Sequence, residues 1–198
     1  MILSRKQKNK EKSVFATQSH LEQELKRTKA NTQENKNTRS NTPMKHNTKN
    51  VLIVLKGLPA SGKSTYAQIL EESGTFERVC LDSIREELYG NESIQGDGKK
   101  VFEIAQTRMH LIGMRGGNCV YDATNLNRDR RRKLIDDMRN YFDVLIIKEF
   151  TTPFDFCVVR NEKRERQVPL SVMRRMSLQD ECVISSEGWD YIEQIKNF

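Results

Sequence analysis

A chain of 198 residues, 36% hydrophobic and 31% charged, has room for one domain of ordinary size and the composition of a soluble protein. Its net charge of +7 is uneven: residues 1–49 carry 12 Lys or Arg against four acids (net +8), and the remaining 22 basic and 23 acidic residues net −1. No apolar run approaches the roughly 20 residues of a membrane span, and Ile2-Leu3 is too short for a secretory signal, so a cytoplasmic protein with no membrane partner is expected. Glu22, Glu24 and Glu34 speak against a mitochondrial presequence. Cys80, Cys119, Cys157 and Cys182 form no C-x-x-C pair and read as reduced, buried thiols.

Residues 1–49 are rich in Lys, Asn, Thr, Gln and Ser with few, irregularly spaced apolar residues, and read as a disordered tail. Ser19 with Glu22, and Leu21 with Leu25, suggest one short exposed helix to about Lys29. Two accounts of the tail stand side by side, a solvated spacer and a counter-charge for nucleic-acid phosphates.

From residue 50 to 198 strands alternate with helices. Val51 to Lys56 is an apolar strand, followed by the turn G-x-x-x-x-G-K-S (Gly57, Gly62, Lys63, Ser64) and a helix to about Glu72. Residues 78–81 form a short strand. Ser83 and Glu86 match a capping box that starts a helix directly after Asp82. Apolar residues at Val101, Ile104, Ala105, Met109 and Ile112 place a helix over residues 99–115, ended by Gly116 and Gly117. Residues 119–121 form a strand closing on Asp122, and Asn127 caps a helix with inner face Leu134, Ile135, Met138 and Tyr141. A strand over 144–147, a helix over 154–161, a basic loop over 162–168, a helix from Pro169 to about 178 and a strand over 191–195 complete the chain. The alternation predicts an α/β fold: a parallel sheet with helices on both faces and the ligand at the carboxyl ends of the strands.

The turn after the first strand is a P-loop in its required setting. Gly57 and Gly62 free the backbone to curl, so that the amides of Pro59–Thr65, through Ala60, Ser61, Gly62 and Lys63, surround ATP phosphates, proline alone lacking an N–H. Lys63 supplies a mobile positive charge to the β and γ phosphates, and Ser64 offers a hydroxyl to Mg²⁺. Such a kinase needs a carboxylate at a neighbouring strand end as base for the acceptor hydroxyl, and Asp82 fits. Arg85, three residues on, shares its helical face and is placed to grip a substrate phosphate or keep the carboxylate ionised. Asp122 has two candidate roles: ordering Mg²⁺ through water, or holding substrate and a neighbouring arginine, with Thr124 and Asn125 donating to phosphate or ribose. Arg160, Lys163, Arg164 and Arg166 crowd the segment before Pro169 as in a lid that closes over a triphosphate. The run Arg128, Arg130, Arg131, Arg132, Lys133 spreads over several helical faces and reads as solvated surface or nucleic-acid contact. Trp189 with Gly188 anchors the C-terminal turn.

From Leu52 to Met176 these segments, GLPASGKST, LDSIR, DATNLNRDRR and VVRNEKRERQVP, resemble in order the 5′-kinase domain of phage-type polynucleotide kinases. The resemblance implies a P-loop kinase fold with a lid that transfers the γ-phosphate of ATP to 5′-hydroxyl ends of DNA or RNA. It implies Asp82 as general base, Arg85 on the substrate phosphate, and Arg164 on the ATP phosphates. Ala123 is an insertion within the family's aspartate-threonine-asparagine string, and the 3′-phosphatase motif Asp-x-Asp-x-Thr is not found in the sequence. The alternative function is a P-loop kinase of a nucleoside, a sugar or a toxin-type small molecule.

Overall fold

The computed structural model describes residues 49–92, 94 and 96–196. The basic tail up to residue 48, with its expected helix from Ser19, lies outside the described residues. Two compact units are present, one running from residue 80 to 115, the other comprising residues 49–79 and the chain from residue 116 onward.

The second unit holds a sheet in the order β2-β3-β1-β4-β5, with β1 Val51–Lys56, β2 Phe76–Cys80, β3 Asn118–Asp122, β4 Val144–Phe150 and β5 Tyr191–Ile195. The chain passes into the first unit at Cys80, the last residue of β2. β1 takes the centre because it is apolar on both faces: Leu52, Val54 and Leu55 are fully buried, and Ile53 nearly so. Its pairings with β3 and β4 are parallel, as is that of β4 with β5, Leu52 facing Cys119 on one side and Leu145 on the other. The carboxyl ends of β1, β3 and β4, at Lys56, Asp122 and Phe150, therefore lie along one edge. Asn50 fixes the opposite end: its side chain donates to the Tyr141 carbonyl (2.8 Å) and accepts from the Asp143 amide (2.9 Å), tying the entry of β1 to that of β4.

Side chains alternate along β1, so Ile53 and Leu55 share one face, where they pack with Val120, Phe150 and Ala67 of helix α1 (Lys63–Glu72). Tyr66 and Leu70 of α1 close this layer, Tyr66 meeting the Phe150 ring edge-on at 5.8 Å. A second cluster joins Leu58 of the P-loop and Leu126 to Cys157 of α5 (Phe154–Glu162) and Met173 of α6 (Leu170–Leu178).

In the unit of residues 80–115, α2 (Leu81–Tyr89) and α3 (Gly98–Met114) pack together. Asp97 caps α3 by accepting from the Lys99 amide (3.0 Å) and the Lys100 amide (3.2 Å). The capping box expected at Ser83 and Glu86 is not formed. Cys80 is the N-terminal flanking residue of α2, with extended φ/ψ of −118° and 126°, and Leu81 is already helical, so Asp82 lies in the first turn. Sequence reading placed this boundary late because Ser83 carries a capping side chain, whereas β2 runs straight into the helix at Cys80. Asp82 there lies within the positive field of the helix terminus.

The helix α4 (Arg128–Met138) starts as expected, with Asn127 accepting from the Arg130 amide at 3.0 Å. Leu134, Ile135 and Met138 are its buried face, but Tyr141 falls beyond the helix and Phe142 is buried in its place. Arg131 departs from the expected surface reading of the basic run: it is 1% exposed. All five of its N–H donors have partners. Nε and Nη2 bind the two oxygens of Glu187 (2.8 and 2.7 Å), Nη1 binds the carbonyls of Asn125 and Leu126, and Nη2 also reaches Cys182. Glu187 belongs to a 3₁₀ turn, Ser185–Glu187, that sequence reading did not anticipate, and also accepts from the Trp189 indole at 3.0 Å. Trp189 is thus anchored as expected. Among the described residues no helix is long and apolar enough to cross a membrane.

Burial raises the Glu187 carboxyl pKa, but hydrogen bonds from Arg131 and Trp189 outweigh it, so Glu187 titrates below its ordinary 4.5. This stabilisation is present at neutral pH and is lost as pH falls below that value through the folded-state pKa. Replacing Glu187 by Ala strands a fully buried guanidinium, and urea denaturation at pH 7 is expected to show a loss of about 3–5 kcal/mol. The loss should shrink as pH is lowered toward 3.

Candidate active site

The P-loop follows β1 because two glycines occupy backbone states other residues avoid. Gly57 has φ +149°, and a Cβ there would sit 2.9 Å from the Phe150 carbonyl oxygen and 3.0 Å from Ser61 Oγ. Gly62, at φ 102°, is the N-terminal flanking residue of α1. The loop is braced from below: Thr152 Oγ1 donates to the Ser61 carbonyl (3.1 Å), and the Gly57 amide donates to the Thr124 carbonyl (3.0 Å).

Lys63 is 6% exposed and donates to the Leu58 carbonyl (2.6 Å) and Ser61 Oγ (3.2 Å). Burial, opposed by the negative charge of Asp122, pushes its pKa down to about 8. A cavity of about 350 Å³ opens on it, lined by Ala60, Gly62, Ser64, Thr65, Arg160 and Arg164. The structure thus brings two arginines from the expected lid to the P-loop. Arg160 lies in the last turn of α5, within the helix expected over 154–161, which extends one residue further to Glu162. The loop that follows is closed at its base by Asn161, whose amide exchanges two hydrogen bonds, each 2.9 Å, with the backbone of Val168. Sequence reading overlooked Asn161.

Asp122 ends β3 beside this cavity. Its Oδ1 accepts from Ser64 Oγ at 3.3 Å, and its Oδ2 accepts from Arg78 through Nη2 (2.5 Å) and Nε (3.2 Å). Of its two expected roles, the second named a neighbouring arginine, and Arg78 of β2 stands there, a residue that sequence reading did not single out. A carboxylate and a hydroxyl in hydrogen-bond contact at a P-loop are hard oxygen donors that fit Mg²⁺ shared with nucleotide phosphates. Among the described residues there is no group of three His, Cys, Asp or Glu able to hold a metal, so phosphate and water oxygens would complete the shell. Asn125, at φ 45°, spends its amide N–H groups on the carbonyls of Leu55 (2.7 Å) and Ala123 (3.4 Å), so this side chain shapes the loop after β3.

Behind the P-loop, Lys56 at the end of β1 is buried between Glu149 (2.8 Å) and Asp180 (2.6 Å). Asp180 adds negative potential at Lys63 as well. In the first unit, Arg85 Nη1 meets Asp82 Oδ1 at 2.6 Å, and Arg85 Nε is buried with no partner.

The chain matches the family model of the AAA domain over residues 52–179 and belongs to that family. With the parallel sheet and the P-loop after β1, the chain has a P-loop kinase-like fold. The fold is similar to that of a chain in the Pnkp1/Rnl/Hen1 RNA repair complex (TM-score 0.60, 23% identity), covering 69% of this chain and 46% of that one. It is also similar to a fungal RNA kinase (TM-score 0.56, 17% identity, 75% of this chain and 38% of that one). A sugar kinase from Janibacter sp. shares it too (TM-score 0.54, 18% identity, 74% of this chain and 86% of that one). The chain thus spans less than half the length of the two RNA-directed neighbours and most of the sugar kinase. No curated protein matches it in sequence.

The lowered pKa of Lys63 has a thermodynamic signature. Below pH 8 the buried lysine is charged in the folded state and opposes folding, and this penalty fades as pH rises from 8 toward the ordinary 10.5. A bound polyphosphate favours the ammonium, so binding of inorganic triphosphate near pH 8 should take up about half a proton, and affinity should fall between pH 8 and 9.5. Calorimetry in two buffers of different ionisation enthalpy measures the uptake; Lys63→Met should abolish it.

Proposed function

We propose that this domain is an ATP-dependent kinase that transfers the γ-phosphate to the 5′-hydroxyl end of DNA or RNA. Asp82 accepts the proton of the 5′-hydroxyl as its oxygen bonds to the γ-phosphorus. The bond from that phosphorus to the β-phosphate oxygen breaks, leaving ADP and a 5′-phosphate end. Arg85 is held beside Asp82 by their ion pair and turns its remaining donors toward the phosphate on the 3′ side of the acceptor. Lys63 and the P-loop amides hold the β and γ phosphates, while Arg160 and Arg164, which also line the cavity, bring positive charge to the transferring group. Ser64 and Asp122 would hold Mg²⁺, which neutralises charge on the phosphates when bound. Thr124 is the remaining substrate contact proposed on the loop after β3.

The observation that carries this reading is the pair Asp82–Arg85 in one helical turn, with a guanidinium nitrogen, Nε, buried and unspent. A base that serves an uncharged acceptor has no need of a cation 2.6 Å away, whereas a phosphodiester brings its own negative charge. The motif order and the similarity to an RNA kinase support the same acceptor class. The second reading, a small-molecule kinase, is supported by the similarity to a sugar kinase, 86% of which is covered.

Asp82→Asn should leave ATP affinity near normal and lower turnover by about 10²-fold or more. Native turnover in that variant removes Asp82 as base. A panel of 5′-hydroxyl oligonucleotides, nucleoside 3′-phosphates and free nucleosides separates the two readings. A nucleoside 3′-phosphate should far outperform the nucleoside, and Arg85→Ala should erase most of that preference. Equal rates on both acceptors point to the small-molecule kinase.

A further inference from the structure

We propose that Arg78 is a positioning residue that aims one oxygen of Asp122 at the P-loop hydroxyl of Ser64, and so sets how tightly the nucleotide binds with its divalent cation. The inference rests on the assignment of Ser64 and Asp122 to Mg²⁺ made above, but not on the identity of the acceptor.

The geometry separates orientation from simple charge pairing. Arg78 places two donors, Nη2 at 2.5 Å and Nε at 3.2 Å, on the same oxygen, Oδ2. A fork that spanned both oxygens would consume the carboxylate; this one leaves Oδ1 to accept from Ser64 at 3.3 Å. Two donors from one planar guanidinium hold Oδ2 in a set geometry that a flexible ammonium does not impose. The side chains of Arg78 and Asp122 are 14% and 4% exposed, so both charges have been taken largely out of water. A buried ion pair of this kind contributes little net stability compared with an apolar pair joining the same neighbouring strands. Its orienting effect is what an apolar pair would not supply. Glu71 of α1 lies 4.0 Å from Arg78 Nη1, on the guanidinium nitrogen that faces away from Asp122, and offsets part of the arginine charge.

The test measures binding of a fluorescent ATP analogue to the full chain, with Mg²⁺ and with chelator, without any acceptor. In the native protein Mg²⁺ should raise affinity. Arg78→Ala should reduce that gain by about 10- to 100-fold, the usual effect of removing an outer partner of a metal-bound carboxylate, while chelator affinity stays within twofold. Arg78→Lys, with one donor group in place of a planar fork, should recover only part of the gain. In the Asp122→Asn background, Arg78→Ala should cost nothing further, because the residue acts through that carboxylate. If Arg78→Ala does not fold by circular dichroism, Arg78→Gln carries the same readings. An unchanged Mg²⁺ gain in the Arg78 variants, independent losses in the double variant, or no gain in the native protein each overturns the proposal. A native protein that shows this coupling yet phosphorylates no 5′ end would defeat the polynucleotide reading and leave Arg78 in place.

Discussion

Everything at the carboxyl edge of the sheet depends on the close approach of Gly57 to the end of β4. The backbone of Gly57 passes so near the Phe150 carbonyl that no side chain fits between them. That approach lets the P-loop turn back over the sheet instead of running off its edge, and it directs the loop into α1. The parallel register of β1 with β3 and β4 then fixes what stands beside it: Asp122 on one side, and Thr152 with α5 on the other. Moving β1 by one residue would turn Leu55 and Ile53 to the wrong face and carry the P-loop away from Asp122.

The site is charged in layers, and each layer has a separate means of compensation. Lys56 sits behind the loop, neutralised by Glu149 and Asp180. Burial raises the Glu149 carboxyl, but the hydrogen bond and charge of Lys56 outweigh it, and Glu149 titrates below its ordinary range. Lys63 faces the cavity with carbonyl and hydroxyl partners only, which is why burial prevails there and its proton is loosely held. The structural lysine therefore has its charge spent on two carboxylates, and the cavity lysine retains capacity for an anion. Cys157, beneath the same cavity, is raised by burial against the pull of Lys63 and Arg160, consistent with a reduced, inert thiol.

The C-terminal segment is a working part of this architecture. Glu181 accepts from the Arg128 amide at 2.7 Å at the start of α4, Cys182 accepts from Arg131, and Glu187 completes the buried pair. Through Arg131 these contacts reach the carbonyls of Asn125 and Leu126, so the loop that follows Asp122 is held from behind by residues more than 50 positions away. A P-loop site whose groups must stand in fixed positions gains from such remote bracing, because small displacements of such groups are costly.

What the sequence determined by itself was local. The β-branched run before G-x-x-x-x-G-K-S, the helical spacing of Val101 to Ile112 and the Asn127 cap each act over fewer than about a dozen residues, and each led to the right element and to a P-loop with basic residues at its cavity. Short-range signals also misled: Ser83 has the chemistry of a cap, yet the helix starts at Leu81, and five basic residues among six look solvated although Arg131 is buried. What only the tertiary structure decided is which distant groups meet. Arg78 reaches Asp122 across 44 positions, Arg131 reaches Glu187 across 56, and Lys56 reaches Glu149 across 93. A lone charged residue carries no mark of its partner in the sequence; the parallel sheet and its long crossovers bring the two together, and the low dielectric of the interior then makes each pairing obligatory.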